Sequence, residues 1–537
     1  MTTIGYPYAL PTTGNVSLQE FVESNAQYQR PLSDATASRG RLRTALKEHK
    51  HSDRHDVMNV QKSLEDYIPL LFGLVAGIEN GELRLSQEID TTWRCTISSI
   101  ALSSKQPRVK HKSIHFEAIF TLLTLGYVLM GRANEFAQAV QKKILVAIGD
   151  ISSYTGGYGD GTSAASGAGN GSASSHNGIG SGSGGGSGGG GSSSSGGGGL
   201  FKKSSSAAKS TKNPNTIGEF TDYLNDEDLA TIDHQLTKAA DLFCQAAGVF
   251  EYIAQEMIPR WNKSMAAAVV IQESSSGSQT LGLGKPLSSS AAVKALSESS
   301  RPVDVQTCVV SSHIKLALAE AHACSVRKAS IKAARASAIR LSTLGGSPAS
   351  STTSSGTSKT SYVLLAKLTI GVKEEYERAY GLLKSVKDLN DISTEFRNHV
   401  KDAKVYYEAL AQTLLGMDAY EAQQYGKAIG FMSLARASFL SLAKSSKANT
   451  IAQAASFEYR LANEKVVAFQ KINDSVTYEQ VPSAAELLGV MPNGRDLLSI
   501  KKYVAPRPSF GSAATAGEGS ADDSVNKLSY ALQGAYF

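Results

Sequence analysis

Apolar residues recur every three or four positions over most of this chain, which is the spacing of one face of an α-helix. The segment 115–148 is apolar on nearly all sides, as is typical of a helix at the centre of an all-α assembly. The pattern therefore predicts a mainly all-α fold. The predicted helices cover roughly 32–49, 57–76, 115–148, 226–272, 303–340, 361–387, 390–416, 419–445 and 448–474.

The last predicted helices alternate small and large apolar residues, which is what closely packed helix pairs require. The segment Tyr425-Gly426-Lys427-Ala428-Ile429 is similar to the second half of a tetratricopeptide hairpin. A strict repeat of about 34 residues is not visible, so we expect only a few irregular hairpins of this kind.

Gly- and Ser-rich stretches interrupt the helical pattern and always lie between predicted helices. They cover 152–215, 273–300 and 341–360, and a Pro-, Gly- and Ala-rich tail covers 511–537. Such sequences bury too little surface to offset chain entropy. We therefore expect one domain over residues 1–510 that carries a disordered insert, two flexible inserts and a mobile tail.

Charge and hydropathy limit the class of protein further. The net charge of +6 is far from the dense basic character of a nucleic-acid binder. The most apolar run, 118–131, is shorter than the ~20 residues that a membrane span needs. The amino terminus lacks the basic start and apolar stretch of a signal peptide. We expect a soluble, cytoplasmic protein that reaches membranes only peripherally, through partners.

Candidate chemistry is sparse, and the sequence predicts no catalytic, cofactor or metal site. His111 and His115 have a metal-ligand spacing, but Lys112 stands where a zinc protease needs glutamate. The Gly-rich stretch ending at Lys285 lacks the serine or threonine that a phosphate loop needs. Cys324 and His322 point to different sides of one helix. The four cysteines include no CxxC pair, which favours reduced, mostly buried thiols.

A cluster of basic residues lies near the first predicted helix. It could lie against anionic lipid or an acidic partner. A solvated helix face is the alternative, and we favour it because Glu48 and Asp53 dilute the cluster. The basic residues are Arg39, Arg41, Arg43, Lys47, His49, Lys50 and His51.

Several sequence blocks, taken in order, resemble the BRO-one (Alix-type) family, and within it the fungal PalC-like pH-response regulators. The block Asn473-Asp474 to Val481-Pro482 resembles the end of a BRO-one domain, and the amino-terminal blocks resemble the PalC-like branch. These amino-terminal blocks are Tyr8-Ala9-Leu10-Pro11-Thr12-Thr13, Ala35 to Arg43, Leu64 to Phe72, Trp93-Arg94, Pro107 to Lys110, and Phe116 to Leu125.

The resemblance implies a curved helical scaffold with a small β element near its amino terminus. It also implies a non-enzymatic adaptor in ambient, alkaline pH signalling. Such an adaptor binds ESCRT-III at the cell cortex or endosome and helps to assemble the complex that activates a PacC-type transcription factor by proteolysis. The expected partners are the C-terminal amphipathic helix of the ESCRT-III filament subunit and other pH-signalling proteins.

The same resemblance places the partner-binding residues on two helices. The two aliphatic contacts of the family fall on Leu364 and Leu368, which share a helix face. Its aromatic contact falls on or next to Ser325, with Val326 beside it. The alternative is that both leucines are ordinary core residues.

Two other functions remain open on the sequence. The first is a general endosomal-sorting protein of the BRO-one family, which acts in multivesicular-body cargo sorting. The second is a small-molecule enzyme on a helical scaffold, which needs convergent polar groups that the sequence does not offer.

Overall fold

The computed structural model describes residues 4–23, 26–51, 56–99, 106–147, 224–275, 301–344 and 361–512. The predicted inserts and tail lie outside these ranges except at their edges. Helices run to Ser275 and Leu344, a few residues into two of the predicted inserts.

In the described residues, the first half of the fold contains five helices. Side chains cap the amino-terminal ends of two of them, Val57–Glu79 and Asp226–Tyr252. Asp56 accepts from the Asn59 amide at 3.0 Å, and Asn225 accepts from the Asp228 amide at 2.7 Å. A π-turn, Ile253–Met257, joins the last two helices. The helices are α1 (Gln29–His51), α2 (Val57–Glu79), α3 (Ile114–Ala147), α4 (Asp226–Tyr252) and α5 (Ile258–Ser275).

The described part of the second half continues with six helices. Short turns join the helices from α7 to α10, and each packs on the next, as in a series of helix hairpins. This arrangement confirms the mainly all-α prediction. The helices are α6 (Thr307–Leu344), α7 (Tyr362–Leu383), α8 (Thr394–Glu421), α9 (Tyr425–Ser445), α10 (Asn449–Ile472) and α11 (Ala484–Gly489).

A small sheet lies between α2 and α3, as expected. Strands β1 (Asp90–Arg94) and β2 (Arg108–Lys112) pair antiparallel, with Asp90 opposite Lys112. The amino-terminal segment adds a bridge from Thr13 to Trp93 on the other side of β1.

Helix α3 is the central helix that the pattern predicted. Within the described residues it is the one helix long and apolar enough to cross a membrane, over Ile114–Ile144, yet 94% of its most apolar window is buried inside the protein. Helices of this same chain therefore occupy its apolar surface.

Two large clusters of buried residues share helix α6. The first core joins α1 to α6 and includes Ala317 and Cys324, whereas the second core joins α6 to α10 and includes Leu316 and Val326. At the junction His313 is buried, and the Tyr127 hydroxyl lies 3.1 Å from its Nε2. The two halves therefore pack as one body around α6.

Arg39 departs from the prediction of a solvated basic face. It is 1% exposed, and its Nε donates to Glu117 at 2.7 Å. Trp93 and Tyr67 also donate to this carboxylate, at 2.7 and 3.2 Å. The buried ion pair is thus hydrogen-bonded on both sides, which is the condition for tolerating charge in a core. Helical spacing alone could not separate Arg39 from its solvated neighbours.

The segment after α10 returns along the molecule as an extended strap, residues 479–512. The Arg495 amide donates to the Lys367 carbonyl of α7 at 3.0 Å, and the Leu498 amide donates to His322 Nε2 of α6 at 3.0 Å. Further along, the Lys501 amide donates to the Cys244 carbonyl of α4 at 3.1 Å.

The strap ends against α2. The Ser509 amide donates to the Pro69 carbonyl at 3.1 Å, and the Ser512 amide donates to the Glu82 carboxylate at 3.0 Å. In order along its sequence, the strap contacts α9, α7, α6, α4 and α2. It therefore connects helices that are far apart in the chain.

Candidate partner-binding surface

The structure gives the three predicted contact residues different positions. Leu364, in the first turn of α7, is 40% exposed. Leu368 is 8% exposed and Val326 is 3% exposed, and both belong to the second core. Only Leu364 can therefore meet a partner directly in this conformation, and the other two lie in the core.

A third, small cluster of buried residues lies beneath the beginning of α7. It is formed by Leu365, Ala366, Leu414, Leu415, Phe431 and Leu487. Ala329 and Ala333 of α6 and Met491 of the strap pack against it while staying partly exposed. Residues from α6 to α9 and from the strap thus meet at one place.

Three exposed aliphatic side chains adjoin this cluster in sequence. Leu364 precedes buried Leu365, Leu488 follows buried Leu487, and Val490 precedes Met491; their exposures are 40%, 47% and 58%. We call the set Ala329, Ala333, Leu364, Leu488 and Val490 the α6–α7 surface. Grouped exposed apolar residues of this kind are typical of interaction sites.

The strap forms one border of the α6–α7 surface. Lys367, Gly371 and Glu374 of α7 contact it, and the Gly494 amide donates to Glu374 at 3.0 Å. Leu364 lies on the same stripe of α7, one turn before Lys367, because helix faces repeat every three or four residues. Leu364 is therefore placed beside the point where the strap crosses.

Helix α6 contributes a ridge of small side chains. His322 fixes the strap, since its Nε2 lies 3.2 and 3.0 Å from the amides of Leu497 and Leu498. Ser325, Ala329 and Ala333 continue the same stripe beyond this crossing, and all three are half-buried. Small side chains leave room for a further helix to approach closely.

The side of α6 next to this stripe is polar. Lys328 and Lys332 both reach Asp233 of α4, at 2.9 and 2.7 Å. Burial alone raises the pKa of Asp233, but hydrogen bonds from the two lysines outweigh it, so the pKa is lowered. These groups line a shallow cavity of about 570 Å³, together with Leu229, Ala230, His234 and Thr237.

The candidates for catalysis do not assemble into a reactive site. Burial raises the pKa of the Cys324 thiol, and His322 is bound to the strap. His111 lies on β2, whereas His115 lies on α3 and reaches Glu79 at 2.9 Å, so the two histidines do not share a helix face. Among the described residues, no three His, Cys, Asp or Glu side chains form a possible metal site.

The thiols are mostly buried, as predicted. Cys95, Cys244 and Cys324 are buried free thiols, and Cys308 is half-buried. Burial raises the pKa of Cys244 to about 11 and raises that of Cys95 as well. Such thiols are poor nucleophiles near neutral pH.

Comparison with known proteins identifies the fold. The family model described as a BRO1-like domain matches residues 224–493, half of the chain. The chain belongs to the BRO1-like domain family. The matched region of this BRO1-like protein includes α6, α7 and the first part of the strap, up to Asn493, and so the whole α6–α7 surface.

Two curated relatives point to one branch of the family. The pH-response regulator protein palC of Emericella nidulans is 32% identical over 152 residues, which cover 24% of this chain and 30% of the relative. The protein of the same name from Yarrowia lipolytica is 33% identical over 138 residues, which cover 25% of this chain and 30% of the relative. The matched segments thus span less than a third of these relatives.

A solved structure agrees on the fold. The crystal structure of ALIX in complex with the SIVmac239 PYKEVTEDL late domain has a TM-score of 0.50 and 12% identity, covering 99% of this chain and 53% of that one. At this identity the likeness shows the fold alone. It confirms the predicted BRO-one scaffold.

Sequence reasoning missed the strap's contribution to the α6–α7 surface. Leu488 lies in a short helix and Val490 in the turn that ends it, and this element is too short for a helical or strand period to be detected. The one available signal is the run of apolar residues around them. It lies in a segment with several prolines that reads as a loop leaving the domain. Their position follows only from docking on α7 and α9.

Proposed function

We propose that this BRO1-like protein is a non-enzymatic adaptor of ambient-pH signalling. On this proposal it binds the C-terminal amphipathic helix of an ESCRT-III filament subunit on the α6–α7 surface. The observation that carries the proposal is the exposed Leu364, which adjoins Leu365 of the cluster on which half-buried Ala329 and Ala333 pack, in a family member whose curated relatives are pH-response regulators. An amphipathic helix fits such a surface by laying apolar residues along it.

The residues have separate roles in this proposal. Leu364 makes direct contact, and Leu368 and Val326 support it from the second core. In the cell the adaptor works in the cytoplasm and is recruited to the plasma-membrane cortex or endosome. There it helps to assemble the complex that leads to proteolytic activation of a PacC-type transcription factor, together with other pH-signalling proteins.

A charge at Leu364 tests the direct contact. We expect Leu364→Asp to abolish binding of the ESCRT-III helix peptide, because an unpaired carboxylate would replace an apolar contact. The thermal midpoint of the Leu364→Asp variant should stay near that of the native protein, since the Leu364 side chain is 40% exposed. Calorimetric titration with the peptide and a thermal melt measure the two effects.

Matched variants separate binding from folding. Val467→Asp places the same charge on α10, where the native side chain is 58% exposed, and should leave both binding and midpoint unchanged. Leu368→Asp should lower the midpoint strongly, because it buries a charge in the second core. Retained peptide binding by Leu364→Asp would rule out this surface.

A cellular assay tests the pathway. A fungus that carries Leu364→Asp in place of the native protein should fail to process the PacC-type factor at alkaline pH while sorting membrane cargo normally. The reverse pattern, normal processing with defective sorting, would instead support the general endosomal-sorting function.

A further inference from the structure

Helix α10 is the last helix of the series α7–α10, and its outer side is exposed. Among the described helices, α9 and α8 pack against it from the side of the second core. The last unit of a stacked series keeps a polar outer face when that face ends in solvent. Helix α10 departs from this rule, because Phe457 and Val467 are 37% and 58% exposed.

The exposed residues of α10 include a stripe with the period of a coiled coil. Six exposed side chains follow one another at spacings of four, three, four, three and four residues. An average spacing of roughly 3.5 residues keeps a stripe in line along one face of a helix. The stripe extends over about 27 Å. We call it the α10 seam, and its members are Gln453, Phe457, Arg460, Glu464, Val467 and Lys471.

The α10 seam is complementary to itself when a second copy of the helix runs antiparallel to it. With a twofold axis at the level of Ala462, Phe457 lies opposite Val467 of the partner subunit. In the same alignment, Arg460 lies opposite Glu464 of the partner subunit. The axis repeats each pair, so the alignment forms two apolar contacts and two ion pairs.

The single chain leaves the two central charges available to a second copy. The i,i+4 ion pairs among the described residues lie on other helices. An arginine that precedes a glutamate by four residues has the less favourable order within one helix. The Arg460 guanidinium lies instead over the Phe457 ring, 5.9 Å from its centroid. The exposed Glu464 carboxylate can therefore accept from an arginine of the second copy.

The residues that flank the α10 seam allow a close approach. Ser456 and Ala468 are exposed, and the same twofold axis places them opposite each other. The Ser456 hydroxyl donates to the Ala452 carbonyl of its own helix at 2.8 Å, so it does not project towards a second helix. Small side chains at a helix crossing let the two backbones come near each other.

We propose that two copies of this chain associate by antiparallel pairing of their α10 helices along the α10 seam. The occupant is a second copy because each apolar or charged member of the central seam meets its complement within the seam itself. One helix from each copy covers less than the ~1,200 Å² of a stable interface, so the association is weak and depends on concentration. Below its dissociation constant, Val467→Asp leaves the thermal midpoint unchanged, as its use as a control for Leu364→Asp requires.

Charge reversal at the centre of the seam tests the pairing. Arg460→Glu and Glu464→Arg should each weaken self-association by roughly tenfold, because each change places like charges opposite each other at two symmetric positions. The double variant should associate as the native chain does, since it restores both ion pairs with exchanged signs. Sedimentation velocity of the full chain over a range of concentrations measures the association.

A mixture of the two single variants gives a sharper test. Arg460→Glu has two glutamates at the central positions, and Glu464→Arg has two arginines. The antiparallel alignment then forms both ion pairs only between unlike chains. The mixture should therefore form a heterodimer with native affinity. Native mass spectrometry with one variant isotope-labelled distinguishes the heterodimer from the two homodimers.

Lys47→Glu is the matched control, because it makes the same charge reversal at an exposed position of α1. Its self-association should equal that of the native chain. A native chain that stays monomeric, single variants that associate as the native chain does, or a double variant that fails to recover would each overturn the inference. The α6–α7 surface takes no part in this pairing, so these outcomes are independent of the proposed function.

Discussion

At the scale of single residues, Glu320 is a buried carboxyl between two helices of the second half. It is 4% exposed on α6, and the Tyr376 hydroxyl of α7 donates to it. Burial raises the pKa of Glu320 to about 7, although the hydrogen bond from Tyr376 acts in the opposite direction. The folded state therefore holds a proton on Glu320 that the unfolded chain releases near its ordinary pKa of 4.5.

This difference predicts a pH-dependent stability. The contribution of Glu320 is fully present below pH 4.5 and is lost as the pH rises towards 7. Glu320→Gln cannot ionise, so its free energy of unfolding relative to the native protein should rise by about 3 kcal/mol between pH 4 and pH 8. Urea denaturation at several pH values measures this.

Glu377→Gln is the control for Glu320→Gln. Hydrogen bonds from Lys373 and Lys404 lower the pKa of exposed Glu377 to about 2. The stabilising contribution of the Glu377 carboxylate is present above its ordinary pKa of 4.5 and is lost as the pH falls towards 2. Glu377→Gln lacks this contribution at every pH. Its stability relative to the native protein should therefore fall as the pH rises from 2 to 4.5. The same trend in both variants would contradict our account of Glu320.

At the scale of elements, the strap packs against helices through glycines. A Cβ at Gly248 of α4 would lie 1.8 Å from the Lys501 carbonyl oxygen, and one at Gly371 of α7 would lie 2.6 Å from that of Arg495. Backbone oxygens cannot move aside like the end of a flexible side chain. The close approach of the strap therefore depends on these two glycines.

Gly248→Ala should destabilise the protein by about 1–3 kcal/mol, because the overpacked strap must shift. Hydrogen exchange at the Lys501 amide, which donates to Cys244, should become faster. Gly40→Ala in α1 is the matched control, since its added Cβ would meet no atom within 4 Å apart from its chain neighbours and the backbone of its own helix. That variant should gain about 0.5–1 kcal/mol from lower chain entropy. Unchanged exchange in Gly248→Ala would argue against a tightly held strap.

At the scale of the whole molecule, α6 contributes to both large cores, so neither half can lose its packing alone. We expect one cooperative thermal transition. Val128→Ala in the first core and Val400→Ala in the second should lower the same midpoint, each costing roughly 1–3 kcal/mol. Differential scanning calorimetry checks this, and two separable transitions, each shifted by one variant, would show independent halves.

The helices were predictable because each buries one face, and a buried face requires apolar residues every three or four positions in the sequence. That period located α3 and the series α7–α10, and the order of short motifs indicated the family. The same logic placed Leu364 and Leu368 on one face of α7. It could not say how deep each leucine lies, because depth is set by neighbouring helices.

By itself, the sequence determined the helical class, the family, and the helix that carries Leu364, since these depend on local periodicity and short motifs. The tertiary structure alone decided that Arg39 pairs with Glu117 in the core, and that Leu368 is buried while Leu364 is exposed. It also decided that Leu487 and Met491 of the strap pack in the third cluster, while Leu488 and Val490 next to them stay exposed. These outcomes depend on contacts between residues distant in the chain, which leave no repeating pattern in the sequence.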